Sequence, residues 1–278
     1  MIKIGKKIIS TFKKPKLISE ISGNHGGKLL NAIKLVRMAA KNGSDLIKIQ
    51  TYDPDSITLN SNKSDFIIKD KNSLWRKKKL YKLYSKGQTL KEWHYKIFEE
   101  AKKYKVECFS SIFDENDIDF LEKLKVPAYK IASFENIHLP LIKKVAQTGK
   151  PVIVSTGLAS KEEIQDTVKT LQDSGCKQFA LLKCTSTYPA SPDNSNILTI
   201  PHMRKLFECE VGFSDHTMGI MAPIIFTILK KMKTSKKIYI EKHVKLKNSK
   251  GPDASTSITT EQLKELISQI RMIGRSRF

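Results

Sequence analysis

Two β-rich runs carry histidine beside acidic and hydroxyl residues, VGFSDH (211–216) and IYIEKHV (238–244). Side chains in a strand alternate with a period of two, so Ser214 shares a face with His216 and Glu241 with His243. Two imidazoles at neighbouring strand ends can hold a divalent ion and leave coordination positions for water and substrate oxygens. An open site of that kind suits a Lewis acid that polarises a carbonyl. The competing reading is a pair of hydrogen-bonded structural histidines. Lys48 and Lys130 also lie within β-runs, with hydroxyls of Ser111, Ser133, Ser155 and Ser214 at neighbouring strand ends. Ammonium and hydroxyl donors, with no Gly-rich Walker loop, suit a ligand that carries both a carboxylate and a phosphate. A Schiff-base lysine, or lysines snorkelling out of a barrel wall, are the rival readings. His94, His138 and His202 fall in helical or loop positions and receive no role.

The elements that position these groups follow from the apolar pattern. Eight β-rich runs, at 17–22, 45–51, 106–112, 128–133, 151–157, 179–186, 211–216 and 238–244, alternate with helical patterns near 28–42, 87–104, 115–124, 139–148, 160–174, 199–207, 219–233 and 260–272. Ile164, Val168 and Leu171 show the helical spacing. Asp114, Ser160 and Thr260 are expected as N-caps. Alternation of this kind implies a parallel sheet, and eight units in about 250 residues imply a closed (β/α)₈ TIM barrel forming a single domain. The barrel is expected over residues 17–274, after a basic N-terminal segment at 1–16. The stretch 52–86 is too long for a simple connection and is expected to cover or serve the site. All eight strand ends collect polar residues: Glu20, Asn24 and His25; Lys48 and Gln50; Ser110 and Ser111; Lys130, Ser133 and Glu135; Ser155 and Thr156; Thr185, Ser186 and Tyr188; Ser214, Asp215 and His216; Glu241 and His243. A barrel converges them on one mouth.

Composition narrows the function. The 278 residues carry 40% apolar and 28% charged side chains, which excludes a disordered chain. No apolar run reaches the roughly 18 residues of a membrane span, and the basic N-terminus lacks the apolar stretch and cleavage site of a signal peptide. Four scattered cysteines without a CxxC pair fit a reduced, cytoplasmic protein. The net charge of +22 invites a nucleic-acid reading, but nearly all of the 50 basic residues are lysines. Arginine, the preferred reader of base edges, occurs only at 37, 76, 204, 271, 275 and 277, and no aromatic cluster lies on a basic stripe. Neither nucleic acid nor membrane is expected as a partner.

The segments SEISGNHGG, IKIQTYDPDSITL, CFSSIFD, VPAYKIASFE, GKPVIVSTG, LLKCTSTYP, VGFSDHTMG, IEKHV and GPDASTS resemble, in this order, those of the sialic acid synthase family. TYDPDSITLNSNKSDFIIKDKNSLW and EWHYKIFEEAK look most like its pseudaminic acid synthase branch. The resemblance implies a cytoplasmic transferase that condenses phosphoenolpyruvate with an N-acylated amino sugar, of diacetamido-trideoxy type, in its open-chain form. The product is a nine-carbon nonulosonic acid, and phosphate leaves. It also implies a divalent metal, Mn2+ or Mg2+, no Schiff base, and a homodimer. His216 and His243 resemble the metal ligands. Lys48, Ser111, Lys130, Ser133, Ser155 and Ser214 resemble the phosphoenolpyruvate contacts. Glu20, Gln50, Glu135, Ser186, Tyr188 and Asp253 match positions near the sugar and the reacting carbons, with Glu20 or Glu135 as proton carrier. Ile112 stands where the family often has proline, Ser186 where the neuraminate branch has asparagine, and ASTSIT departs from both branches. The family usually continues into a C-terminal antifreeze-like domain, which the sequence as read does not contain. N-acetylneuraminate or legionaminate synthesis, or a non-catalytic sugar- or phosphate-binding barrel, are the alternatives.

Overall fold

A computed structural model describes residues 2–8, 14–71, 73–232 and 239–276. The expected helix end at Lys233, the strand start at Ile238, and residues 1 and 9–13 of the basic segment lie outside the described residues. Eight parallel strands close into a barrel: β1 (Lys16–Glu20), β2 (Leu46–Thr51), β3 (Glu107–Ile112), β4 (Tyr129–Ile131), β5 (Val152–Ser155), β6 (Phe179–Cys184), β7 (Glu210–Asp215) and β8 (Tyr239–His243). β8 pairs with β1, so the ring has no edge. The strands are near-continuous apolar runs because both faces are covered. Outward side chains such as Ile47, Ile49, Val152 and Val154 pack under the helices.

The helices are α1 (Leu29–Lys41), α2 (Lys91–Lys103), α3 (Asp117–Lys123), α4 (Leu139–Gln147), α5 (Lys161–Asp173), α6 (Thr199–Phe207), α7 (Met221–Met232) and α8 (Thr260–Arg275). Their starts are locally encoded. Ser160 caps α5 in a reciprocal capping box with Glu163. For α8 the cap is Thr259, not the expected Thr260, because Gln262 stands three residues on and completes the box. Asp114 does not cap α3. Its carboxylate accepts from the Asn116 amide at 2.8 Å, and the helix begins after Asn116. The expected helix at 87–104 starts at Lys91, and the segment before it holds separate short helices, Pro54–Ile57 and Leu80–Gly87.

An N-terminal hairpin of two-residue strands, Lys3–Ile4 and Lys7–Ile8, was not legible in the basic segment. Ile2 and Ile4 join Ile18, Leu46, Phe109, Ile153, Leu182 and Tyr239 in an apolar cluster inside the barrel. The hairpin thus plugs the N-terminal end and leaves the opposite end as the mouth. Among the described residues no helix is long and apolar enough to cross a membrane.

Candidate active site

Strand register sets the site. Glu20 faces Lys48, Ser111 faces Lys130, and Ser214 faces Glu241. One level above the apolar plug the inward positions become charged, and all are buried. The Lys48 ammonium is ion-paired with Glu20, lies 3.2 Å from Glu241 Oε1 and donates to Ser111 Oγ at 2.9 Å. Ser214 Oγ donates to the same Glu241 oxygen at 3.3 Å. Lys130 Nζ donates to Ser155 Oγ at 2.7 Å and to the Ile131 carbonyl at 2.8 Å. Burial works against the charge on Lys48, but the two carboxylates win and its pKa rises. Burial dominates at Lys130, which is pushed down to about 8. Burial also raises Glu20, with Glu241 adding to the effect. Two buried lysines thus stand on a polar level over an apolar plug, ready to exchange serine and carboxylate partners for an anionic ligand.

The histidines stand at the rim. The register pairing Ser214 with Glu241 and Asp215 with Lys242 brings the next turn of each strand together, and the His216 and His243 rings lie 5.1 Å apart between centroids. His216 Nδ1 is 3.0 Å from the Thr185 carbonyl. A carbonyl only accepts, so Nδ1 carries a proton and Nε2 is the nitrogen left to serve as a ligand. Burial opposes charge on this ring, but Cys184 and nearby acids outweigh it and raise its pKa. His243 Nδ1 is buried without a hydrogen-bond partner among the described residues. Burial, then the neighbouring His216, holds His243 well below the usual imidazole range, in the neutral form a ligand needs. Among the described residues no third His, Cys, Asp or Glu joins them to make a closed metal shell. Two ring nitrogens, that of His243 orphaned, fit an open divalent site completed by substrate oxygens and water.

Aromatic and hydroxyl groups wall this pair. Tyr188 stacks on His216 at 4.2 Å and meets His243 edge-on at 5.9 Å. Trp75 lies 6.1 Å from Tyr188. Cys184 Sγ is 3.8 Å from both His216 Nδ1 and Ser186 Oγ. Ser133 Oγ accepts from the Gly157 amide at 3.2 Å. A Cβ at Gly157 would stand 2.8 Å from Ser133 Oγ and closer still to Ser186 Oγ, so only glycine lets the chain just after β5 pass these hydroxyls. Asp253 accepts from Ser22, and burial raises its pKa against that bond. Glu135 follows β4, and its Oε2 is buried without a partner among the described residues. Burial pushes its carboxyl up to about 7. Gln50 shares the inward face of Lys48.

The predicted site residues Glu20, Lys48, Ser111, Lys130, Ser155, Ser214, His216 and His243 therefore surround one opening, with Ser133, Ser186 and Tyr188 on its wall. Three of the polar strand-end residues do not belong there. Ser110 faces outward and bonds Thr51 at 2.6 Å. Asp215 faces outward in a fully buried pair with Lys242, Nζ to Oδ2 2.6 Å. His25 packs edge-on against Trp93 and lies 3.2 Å from Thr89 Oγ1, and burial lowers it to about 4. The period-two rule already separates Ser110 from Ser111 and Asp215 from Ser214. Sequence reasoning missed Glu241 as a partner of Lys48, although it shares the face of His243. It also missed Cys184, Gly157 and Trp75, whose sequence neighbourhoods carry no signal for the contacts they make.

A sequence model of the NeuB family matches residues 35–277. A pseudaminic acid synthase of Campylobacter jejuni is 41% identical over 263 residues, covering 94% of this chain and 74% of its own. An N,N'-diacetyllegionaminic acid synthase of the same organism is 34% identical, covering 95% of this chain and 78% of its own. A solved N-acetylneuraminic acid synthetase from Leptospira borgpetersenii, in complex with citrate, superposes with a TM-score of 0.85 at 26% identity, over 99% of this chain and 88% of the other.

Proposed function

We propose that this chain, which belongs to the NeuB family, condenses phosphoenolpyruvate with the open-chain aldehyde of a diacetamido-trideoxyhexose to give a nonulosonic acid of pseudaminic type and phosphate. The observation that carries this reading is the buried Lys48–Glu20–Glu241 and Lys130–Ser155 cluster directly beneath two facing imidazoles. The 41% identity to a pseudaminic acid synthase supports the choice of sugar.

Lys48 and Lys130 would receive the carboxylate and phosphate of the enol ester, with Ser111, Ser133, Ser155 and Ser214 as neutral donors. His216 and His243 would hold a divalent ion, manganese or magnesium, which supplies Lewis-acid polarisation of the aldehyde carbonyl when bound. C3 of the enolpyruvate attacks the aldehyde carbon and forms the new C–C bond. Water adds at C2, and the tetrahedral intermediate breaks its C–O bond to expel phosphate. Glu20 or Glu135 takes the proton from that water. Burial raises both carboxyls, that of Glu135 to about 7. Gln50, Ser186, Tyr188 and Asp253 line the acceptor side. A homodimer belongs to the same proposal, and light scattering tests it.

The test is phosphate release with product mass spectrometry, using phosphoenolpyruvate and manganese with a panel of diacetamido-trideoxyhexoses and N-acetylmannosamine. The expected result is stoichiometric phosphate and nonulosonic acid from a trideoxy sugar, loss of both after chelation, and recovery on adding back the ion. Phosphoenolpyruvate binding without product from any acceptor would overturn the reading.

A further inference from the structure

The long segment between β2 and α2 brings Trp75 to the mouth, where its ring lies 6.1 Å from Tyr188, the ring that stacks on His216. The same Trp75 lines a cavity of about 610 Å³ beside the mouth. Leu74 and Pro252 add apolar wall, and the charged groups on the lining are the ammoniums of Lys78, Lys86 and Lys250. No carboxylate lines the cavity among the described residues. Pro252 immediately precedes Asp253, the carboxylate held by Ser22. Trp75 is half-buried, and it is common to the cavity and to the ring stack that leads to the histidines.

Such a lining selects a chemistry. Apolar walls take methyl groups, and ammonium donors take carbonyl oxygens. A deoxygenated sugar bearing acetamido groups offers both. A hydroxymethyl group laid on the indole would leave its hydroxyl without a partner, which costs affinity. We infer that Trp75 is a specificity-determining residue for the acceptor: its indole is the wall against which the methyl-bearing end, remote from the aldehyde, packs. The inference rests on the condensation proposed above, and it adds the residue that separates deoxygenated from hydroxylated acceptors.

The test compares wild type, Trp75→Ala and Trp75→Phe, loaded with manganese, on a diacetamido-trideoxyhexose and on N-acetylmannosamine, with kcat and KM measured for each acceptor and for phosphoenolpyruvate. In Trp75→Ala the KM for the trideoxy sugar should rise roughly tenfold, and the ratio of kcat/KM between the two acceptors should fall by about the same factor. The phosphoenolpyruvate KM should stay within about twofold, because the lysine cluster lies on a different level. Trp75→Phe should keep most of the selectivity, since it keeps an apolar wall. A second readout needs no loss of function. The chain has two tryptophans, so in Trp93→Phe the indole of Trp75 alone reports, and its fluorescence should change as the trideoxy sugar is titrated. An unchanged acceptor ratio in a Trp75→Ala protein with native circular dichroism, or a flat fluorescence titration at sugar concentrations that saturate turnover, overturns the inference. Failure of the underlying reading looks different: wild type then releases no phosphate with either acceptor, and the inference falls with it.

Discussion

Lys48 is one ammonium serving two buried carboxylates, Glu20 and Glu241, and that ratio decides what its removal does. In Lys48→Met both acids remain buried without their paired cation, and at neutral pH at least one takes up a proton. The variant should lose about a thousandfold or more in kcat/KM for phosphoenolpyruvate, measured by phosphate release. Its melting temperature should fall most at high pH, because carboxylates without their cation are tolerated only when protonated; a deficit that grew toward acid would contradict this arrangement. Glu135 gives a separate pH signature. Burial raises its carboxyl to about 7, so the native state prefers the protonated form. That preference stabilises fully below the ordinary carboxylate range and is lost as pH climbs through about 7. If Glu135 is the base, kcat rises through the same interval, and Glu135→Gln lowers kcat and removes that limb while leaving the phosphoenolpyruvate KM in place. A limb that persists in the variant assigns the proton to Glu20. The two roles were not separable in the sequence because both glutamates lie at or just beyond a strand end. The pairing tells them apart: Glu20 is ion-paired with Lys48, and Glu135 Oε2 has no hydrogen-bond partner among the described residues.

Elements matter here by how closely they pass. The loop after β5 runs past the loops after β4 and β6 at Gly157, where a methyl group would collide with Ser133 and Ser186. Gly157→Ala should fold, since Gly157 does not occupy the left-handed region, but it should displace both hydroxyls. The expected outcome is at least a tenfold loss in kcat/KM with a native circular dichroism spectrum. On the outer side of the barrel, Lys242 and Asp215 tie β8 to β7 with both side chains fully buried. Lys242→Ala leaves an uncompensated buried carboxylate and should cost about 3–5 kcal/mol by denaturant unfolding. Lys242→Met with Asp215→Leu should recover most of it; if the double replacement is as unstable as the single, the pair is not the cause. These contacts were hidden for a shared reason. Period-two alternation assigns each strand residue to a face, which is why Ser214, His216, Glu241 and His243 were legible, but it says nothing of which neighbouring loop approaches that face. Helix starts were more readable, since a capping box is local, and the one-residue error at Thr259 came from weighing the cap without its partner Gln262.

The whole barrel divides into a mouth and a plug, and the sequence disclosed them unequally. Eight β-runs alternating with helices leave little choice of topology, because parallel strands need crossovers and a closed ring removes both edges. The plug was invisible. KIGKK has the composition of a solvated basic arm, and nothing local indicates that Ile2 and Ile4 enter the interior, where they are fully buried against Ile18, Phe109 and Tyr239. The +22 charge reinforced the wrong impression, since the lysines beside these isoleucines are part of it. A plug at the far end from the chemistry should affect stability and spare function. Ile4→Ala removes apolar volume from a packed interior and should destabilise by about 2–5 kcal/mol. The KM values for both substrates should stay within about twofold of wild type at temperatures where the variant is folded. Denaturant unfolding and steady-state kinetics on one preparation check both halves. If Ile4→Ala raised the phosphoenolpyruvate KM tenfold without changing stability, the plug would have to communicate with the lysine level above it, and the division of the barrel into two independent ends would fail.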